Sequence, residues 1–235
     1  MKKCCYFVTI IIVKNLNHLY MKKFAIVLSG CGVYDGAEIQ ESVTAMLAVC
    51  RKGHSYQVFA PDIPQYHVVN HLTGEDMPGQ RNVMIESARI ARGDVKNLAS
   101  FDPSQYDALL FAGGFGVAKN LCDFAIRGED YTVTGQVATA IRSMHRAGKP
   151  IGAMCVSPVL IAGTIKGVEL TLGAPCGASE AAEKHGAIHQ VTTHGEVTVD
   201  RKNKIATTPC YMLDANIAQV AGGAENIVDE LLKLM

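Results

Sequence analysis

The sequence predicts an α/β protein, a three-layer sandwich in which helices cover both faces of a mostly parallel central sheet. From Met21 onward, short apolar runs alternate with longer segments whose apolar residues recur at helical spacing. Strands that are buried on both faces have such continuous apolar runs. No repeat or linker interrupts the alternation, and 235 residues with 49% hydrophobic content can bury one large core. We therefore expect residues 21–235 to form a single domain.

Each strand and helix of this sandwich is predicted from local pattern. The expected strands are short apolar or β-branched runs at 24–28, 56–60, 108–112, 151–154, 169–172, 190–193, 197–199 and 205–207. The last three are expected near an edge of the sheet. The expected helices, with apolar residues at helical spacing, are 37–51, 82–92, 137–146, 158–165, 178–185 and 211–234. Gly53 is placed to stop the first helix, and Pro158 suits the first turn of another.

The first twenty residues are expected to lie outside the core. Lys2 and Lys3 precede an apolar run at 4–13, which imitates a secretory signal. The run is too short to span a bilayer, and no small-residue cleavage site follows it. We therefore interpret residues 1–20 as a non-core N-terminal extension. Because nothing else resembles a targeting or membrane segment, the sequence predicts a cytoplasmic protein without a membrane partner.

Charge and cysteine usage exclude several classes of function. Lys plus Arg and Asp plus Glu both total 22, so no positive excess is present to hold nucleic acid. The eight cysteines include no C-x-x-C pair, which argues against a disulfide framework and a zinc site. His185, His189 and His194 likewise lack an H-E-x-x-H pattern. We expect reduced thiols, no metal and no cofactor.

Cys155 is the strongest candidate for a catalytic residue. It follows the apolar run at 151–154 and precedes Pro158, so it lies on the turn from a buried strand into a helix. Such a turn presents a nucleophile in other enzymes. Free backbone N–H groups at the start of the helix favour the thiolate, so we expect a lowered thiol pKa. The alternative is an inert, packed cysteine.

Three segments at predicted strand ends, 29–36, 113–120 and 155–158, are expected to meet in one crevice, because ligands bind beyond the carboxyl ends of parallel strands. Gly113 and Gly114 permit close backbone approach and, with the amides of Cys155 and Val156, are expected to form an oxyanion hole. Asn120 begins or caps the segment that follows, and we expect Asn120 and Glu38 to contribute to the same oxyanion or substrate-binding site. The glycine-rich turn at 29–36 has one residue more than the dinucleotide-binding fingerprint, so we interpret it as a tight turn.

The acid that accompanies the thiol is expected on the first helix. Asp35 is a plausible N-cap, with Glu38 in the position of its capping-box partner and Glu41 one turn later on nearly the same face. We prefer Glu41, because Glu38 lies where the helix dipole accounts for a carboxylate. A buried carboxyl group beside the sulfur would have a raised pKa and could exchange protons near neutrality.

His194 and Glu196 imitate a base and its orienting partner, but they lie in a predicted edge hairpin. We therefore give His194 low weight. Cysteine with glutamate suits addition of sulfur to an aldehyde better than it suits amide hydrolysis.

The motifs at 153–158, 113–116 with 119–120, and 28–36 resemble those of the ThiJ/PfpI superfamily, within the class I glutamine amidotransferase-like, flavodoxin-like fold. More narrowly, together with 70–75 and 207–213, they resemble the ElbB-type glyoxalases, the isoprenoid biosynthesis proteins with an amidotransferase-like domain. The resemblance implies a cofactor-independent, glutathione-independent conversion of glyoxal or methylglyoxal to the 2-hydroxy acid. It also implies that Cys155 is the nucleophile and Glu41 its acidic partner.

Two alternatives stay open. One is a redox-sensing or partner-binding protein linked to isoprenoid biosynthesis, with a reactive but non-catalytic cysteine. The other is a glutaminase-like amidohydrolase, although the segment at 170–174 lacks the histidine that better-known superfamily members often have there. Related proteins are commonly dimers, so we expect a homodimer, with the edge at 190–199 as one possible contact.

Overall fold

The computed structural model describes residues 21–235, so the extension expected at residues 1–20 lies outside the described residues. The described chain forms a seven-stranded sheet in the order β3-β2-β1-β4-β5-β9-β8, and a separate parallel pair, β6 and β7. Every neighbouring pair in the large sheet is parallel except β8 and β9. The strands are β1 (Lys23–Val27), β2 (Ser55–Ala60), β3 (Val95–Asn97), β4 (Ala108–Phe111), β5 (Ile151–Met154), β6 (Glu169–Leu170), β7 (Ile188–His189), β8 (Thr198–Asp200) and β9 (Ile205–Thr208).

Helices cover both faces of this sheet, so the predicted three-layer α/β sandwich is confirmed. The helices are α1 (Ile39–Arg51), α2 (Val83–Ile90), α3 (Phe124–Arg127), α4 (Gly135–Arg146), α5 (Pro158–Ala162), α6 (Gly177–Lys184) and α7 (Ile217–Leu234). Helices α1 and α7 pack together on one face, and α4, α5 and α6 bury their apolar sides on the other.

The alternation of side chains along β1 shows why one sheet serves two cores. Phe24 and Ile26 point into the core under α1 and α7, whereas Ala25 and Val27 point into the core under α4 and α5. Successive residues of a strand face opposite sides, so a strand covered on both faces needs an unbroken apolar run. This is why its sequence shows no polar alternation.

The connections of the sheet reverse direction between β1 and β4. From β1 the chain moves outward through β2 to β3, and it then returns to β4 on the other side of β1 and continues to β5. A crevice opens at the carboxyl ends of the strands where such a reversal occurs. The loops that follow β1, β4 and β5 border this crevice.

Several predicted boundaries are wrong for identifiable local reasons. The last helix begins at Ile217 and not at residue 211, because Cys210–Met212 forms a 3₁₀ turn and Asn216 caps α7 through reciprocal bonds with Gln219. The segment at 190–193 is not a strand, since β7 ends at His189. The short elements β3 and α3 were not predicted.

Candidate active site

Cys155 lies on a strained turn at the end of β5. Its φ of 59° is in the left-handed region that residues other than glycine seldom adopt. The turn is held by two bonds to neighbouring strands: the Cys155 N–H donates to the Thr208 carbonyl at 2.9 Å, and the Ser157 hydroxyl donates to the Ala112 carbonyl at 2.6 Å. Helix α5 begins directly afterwards at Pro158. The surrounding strands thus fix the sulfur at the crevice.

Glu41 of α1 lies beside that sulfur. Its side chain is fully buried, and its carboxyl group lies close enough to the Cys155 thiol for each group to shift the pKa of the other. Its carboxyl oxygens also accept the Gly113 N–H at 3.0 Å and the Tyr211 N–H at 3.2 Å. The carboxyl group is therefore held in one orientation by the loops that follow β4 and β9. The structure places the two predicted catalytic side chains next to each other.

The pKa of the Cys155 thiol differs from the lowered value that the sequence predicts. Burial raises the pKa of Glu41 to about 7, although the Tyr211 N–H opposes the shift. Burial also raises the pKa of the Cys155 thiol well above its ordinary value, and the neighbouring Glu41 carboxylate raises it further. The expected low thiol pKa is therefore wrong. With only 7% of Cys155 exposed, loss of solvation outweighs the free N–H groups at the start of the short helix α5.

Backbone hydrogen bonds join the two glycine-rich loops above this pair. The Glu38 N–H donates to the Gly113 carbonyl at 2.9 Å, and the Phe115 N–H donates to the Val33 carbonyl at 2.7 Å. A side chain on Gly114, whose φ is 102°, would overlap the backbone around residue 37. The glycine allows this close approach. Consequently the Gly114 N–H is held facing the Cys155 sulfur, where it lowers the thiol pKa.

Gly113 provides the space that the catalytic pair occupies. A Cβ at this position would overlap both the Cys155 Cβ and a Glu41 carboxyl oxygen. We expect Gly113→Ala to lower the free energy of unfolding by about 2 kcal/mol through overpacking. We also expect it to lower activity about 100-fold by displacing the reacting groups. Urea unfolding and steady-state kinetics measure both effects.

The matched control for that substitution is Gly135→Ala. Gly135 begins α4 with open space around its Cα and without a positive φ. This variant should therefore match the wild type in stability and turnover. Equal behaviour of the two alanine variants would show that space at Gly113 does not position the pair.

Cys155, but not the fully buried Glu41, lines a cavity of about 320 Å³. Its walls come from the loops after β1, β4, β5 and β9 and from the starts of α3 and α6. The lining residues are Val33, Glu38, Gly114, Phe115, Ala118, Phe124, Ala125, Cys155, Val156, Ala178, Tyr211 and Met212. The three segments expected to meet at the carboxyl edge of the sheet therefore do so, and the volume is that of a small-molecule site.

Glu38 and Val156 line this cavity, as expected of substrate-binding residues. Glu38 is also the residue that caps α1, because its carboxyl oxygen accepts the Glu41 N–H at 2.6 Å. The expected N-cap, Asp35, instead lies in the preceding turn, where its carboxylate accepts the Val69 N–H at 2.8 Å. Burial raises the pKa of Glu38, so both carboxyl groups near the sulfur retain protons more readily than in water.

Asn120 is buried behind the cavity wall and does not line the cavity. Its amide nitrogen donates to the Ser29 carbonyl at 2.9 Å and to the Asp35 carbonyl at 3.0 Å. Its oxygen accepts the Tyr66 N–H at 2.9 Å. One side chain thus ties together three loops around the crevice, and its polar atoms are engaged by the protein rather than free for a substrate.

His194 lies away from the sulfur. Its Nε2 contacts the Asp214 carbonyl oxygen at 2.9 Å, and it lines a separate depression together with Glu196. Among residues 21–235, no histidine lines the cavity at Cys155. The geometry therefore contains a cysteine and a glutamate, as the sequence suggested, and not a cysteine and a histidine.

Sequence reasoning missed the contribution of the turn after β9. Tyr211 lines the cavity and fixes Glu41 through its backbone, and its hydroxyl hydrogen-bonds to Gln40. Cys210, with a φ of 44°, places its buried sulfur against the Cys155 backbone N–H. The available signal was the position of these residues directly after a predicted strand. That signal was insufficient, because the pairing of β9 with β5 could not be read from the sequence.

Neither a metal centre nor a membrane segment is visible in the part of the chain that the structure describes. Within residues 21–235, no three His, Cys, Asp or Glu side chains are grouped as a metal ion would require. No helix in the same range has both the length and the apolar character needed to cross a membrane. The polar groups around the Cys155 sulfur are two carboxyl groups and backbone amides.

Comparison with known proteins places this site in a family. The chain is 43% identical to the human glutamine amidotransferase-like class 1 domain-containing protein 3, over 90% of this chain and 83% of that protein. It is 44% identical to the ES1 protein homolog of Rattus norvegicus, over 90% of this chain and 84% of that protein. The chain belongs to the ES1 family of amidotransferase-like proteins. Models of known protein families gave no match. The family relation covers both the cysteine turn and the helix that carries Glu41.

Solved structures support the same relation. An isoprenoid biosynthesis protein with an amidotransferase-like domain from Ehrlichia chaffeensis is 31% identical and superposes with a TM-score of 0.84, over 91% of this chain and all of that one. Glyoxalase III from Candida albicans is 15% identical, with a TM-score of 0.58 over 90% of this chain and 98% of that one. This more distant likeness shows the shared flavodoxin-like fold.

The comparisons overturn the expected cytoplasmic location. The human relative is a mitochondrial protein, as are relatives from Rattus norvegicus and Danio rerio, which are 44% and 32% identical to this ES1-family chain. The expectation rested on the lack of a recognisable targeting segment. That lack is weaker evidence on location than three relatives that are mitochondrial proteins.

Proposed function

We propose that this protein is a glutathione-independent glyoxalase of the ElbB type, which converts α-oxoaldehydes to 2-hydroxy acids. The observation that carries the proposal is the buried contact between the Cys155 thiol and the Glu41 carboxyl group at the base of an open cavity. A thiol with a raised pKa needs a neighbouring base in order to attack a carbonyl group. Glu41, with a pKa of about 7, can accept that proton near neutrality and return it.

The reaction begins when the ionised Glu41 takes the thiol proton as sulfur attacks the aldehyde carbon. Glu41 then gives this proton to the former aldehyde oxygen, which completes the hemithioacetal and leaves Glu41 ionised again. Glu41 next removes the proton from the first carbon of the hemithioacetal, which forms an enediol, and returns this proton to the second carbon. The first carbon is thereby oxidised and the second carbon is reduced. This internal transfer gives a thioester and a new hydroxyl group, and requires no external oxidant or reductant. Water then cleaves the thioester, releasing the 2-hydroxy acid and restoring the thiol.

Backbone amides are available for the oxygen that becomes negatively charged in these steps. The Gly114 N–H faces the Cys155 sulfur. The second amide is that of Val156, which follows Cys155 on the turn and lines the cavity. Fixed N–H donors stabilise a developing oxyanion without reorganisation. In this proposal both amides bind the substrate oxygen. The amides of Gly113 and Cys155, also expected in this oxyanion hole, are engaged elsewhere, because they donate to the Glu41 carboxyl group and to the Thr208 carbonyl. Gly113 instead provides space for the catalytic side chains.

The site favours this function over the two alternatives. A redox sensor needs an accessible thiol of low pKa, whereas burial raises the pKa of Cys155 and leaves it 7% exposed. A glutaminase of the triad type needs a histidine at the sulfur. His194 lies away from the sulfur, and its Nε2 contacts the Asp214 carbonyl oxygen. The name of the Ehrlichia chaffeensis relative supports the ElbB-type assignment.

The test is incubation of purified protein with methylglyoxal in the absence of glutathione, followed by nuclear magnetic resonance of the products. We expect lactate to form without added cofactor, and we expect glutamine to remain unhydrolysed under the same conditions. Ammonia release from glutamine, together with unchanged methylglyoxal, would instead support the amidohydrolase.

A further inference from the structure

The cavity at Cys155 is larger than the smallest dicarbonyl compounds require. Its volume of about 320 Å³ lies within the range of pockets that enclose drug-sized ligands. Glyoxal and methylglyoxal consist of little more than the two reacting carbonyl groups. They would leave most of the space beyond the sulfur unfilled.

The walls of that remaining space are apolar. Val33, Phe115, Ala118, Phe124 and Met212 are among the residues that line the cavity. Apolar walls gain free energy when a ligand displaces water from them, so they favour a ligand with a hydrocarbon group. The polar groups lie at the base, around the sulfur.

The charges around the cavity oppose an anionic ligand. None of the residues that line the cavity in the described part of the chain is Lys, Arg or His, and Glu38 supplies a carboxyl group. Lys119 lies 5.9 Å from the centre of the Phe115 ring, but its ammonium group donates to the Tyr34 carbonyl at 2.9 Å. A substrate that carries a carboxylate or phosphate would therefore find no paired cation inside the cavity.

We infer that the preferred substrate is an uncharged α-oxoaldehyde with a branched aliphatic or aromatic group. This inference rests on the proposed function and names its substrate class. The two carbonyl groups lie at Cys155 and Glu41, and the hydrocarbon group lies among the apolar side chains. Hydrolysis of the thioester breaks its carbon–sulfur bond, restores the Cys155 thiol and yields the 2-hydroxy acid, whose new carboxylate meets no cation among the described residues that line the cavity.

The experiment compares kcat/KM for 4-methyl-2-oxopentanal, methylglyoxal and 4,5-dioxopentanoate, an α-oxoaldehyde that carries a carboxylate. We expect the branched compound to exceed methylglyoxal at least about tenfold, the effect of a filled apolar pocket, and we expect 4,5-dioxopentanoate to react poorly. Similar kcat/KM values for 4-methyl-2-oxopentanal and methylglyoxal would overturn the substrate class while leaving the glyoxalase proposal intact.

A bulkier side chain in the cavity wall tests the position of the hydrocarbon group. Ala125 is exposed at the rim of the cavity, so Ala125→Phe narrows the cavity without overpacking the core. We expect this variant to reduce the preference for 4-methyl-2-oxopentanal over methylglyoxal about tenfold. Ala218→Phe is the matched control, because Ala218 is an exposed helical alanine outside the cavity. An unchanged preference in Ala125→Phe would contradict the placement.

A binding measurement tests the substrate class even if the glyoxalase proposal fails. If neither aldehyde is converted, the glyoxalase proposal fails, and protection of Cys155 from iodoacetamide by each aldehyde is then measured by mass spectrometry. Exposed Cys50 serves as the internal standard. Stronger protection by 4-methyl-2-oxopentanal supports the apolar specificity, and equal protection overturns it.

Discussion

Cys155→Ala is expected to lower the conversion of α-oxoaldehydes by about 10³-fold or more. Without the sulfur there is no covalent adduct, so neither the proton transfer between the substrate carbons nor thioester hydrolysis can follow. Steady-state formation of the 2-hydroxy acid measures the loss. Mass spectrometry of the wild-type protein trapped with excess substrate should also show an adduct on the peptide that contains Cys155, and this adduct should be absent from the variant.

The matched control is Cys50→Ala. Cys50 is an exposed cysteine at the end of α1 and does not line the cavity, so its replacement should leave turnover unchanged. Circular dichroism and thermal unfolding of both variants exclude loss of folding as the cause. Full activity in Cys155→Ala would show that the chemistry does not pass through this sulfur.

The sequence was sufficient to predict the sandwich because its strands are buried on both faces. Apart from Lys23, β1, β4 and β5 consist of apolar and small residues, and a serine, glycine or cysteine follows each strand within two residues. Short elements held by tertiary contacts were not predictable in the same way. β3 has three residues, and its position depends on pairing with β2 rather than on its own propensity.

The proximity of Cys155 and Glu41 and the raised pKa of Glu41 could be predicted from the sequence, but the raised pKa of the thiol could not. Cys155 was found from its turn, and Glu41 from helical spacing and the resemblance. The protonation of both depends on how completely they are buried, which is a property of the packed structure. Helix geometry argued for a lowered thiol pKa, whereas the structure shows that desolvation raises it. The N–H groups at the start of the helix make one contribution to the thiol pKa, but burial of the sulfur determines the direction in which this pKa shifts.

The raised pKa of Glu41 also makes stability depend on pH. The folded protein keeps the Glu41 proton up to about pH 7, whereas the unfolded chain releases it near the ordinary value of 4.5. Because the folded state binds more protons between these values, the free energy of unfolding should fall as the pH rises through this window. The full effect of Glu41 alone is about 3 kcal/mol. A buried acid that costs stability at neutral pH is consistent with a site selected for proton transfer.

Glu41→Gln is expected to lower kcat by about 10²- to 10⁴-fold, the usual contribution of a general acid or base. Gln has a similar shape but cannot take the Cys155 proton, and it can offer only one oxygen to the two backbone N–H groups of Gly113 and Tyr211. In the wild type, kcat/KM should rise with pH up to about 7 and then level off, because the ionised carboxylate is the base. That rise should be absent from the variant, as should the fall in unfolding free energy between pH 4.5 and 7 that Glu41 contributes.

Glu86→Gln separates this effect from the general removal of a buried carboxylate. Glu86 is also buried, but it is paired with Arg89 at 2.8 Å and lies on α2 outside the cavity. Its variant should keep the rise in kcat/KM up to about pH 7, even if its stability falls. If Glu41→Gln kept the same rise, a group other than Glu41 would have to be the base, and the raised pKa of this carboxyl group would be only a consequence of its burial.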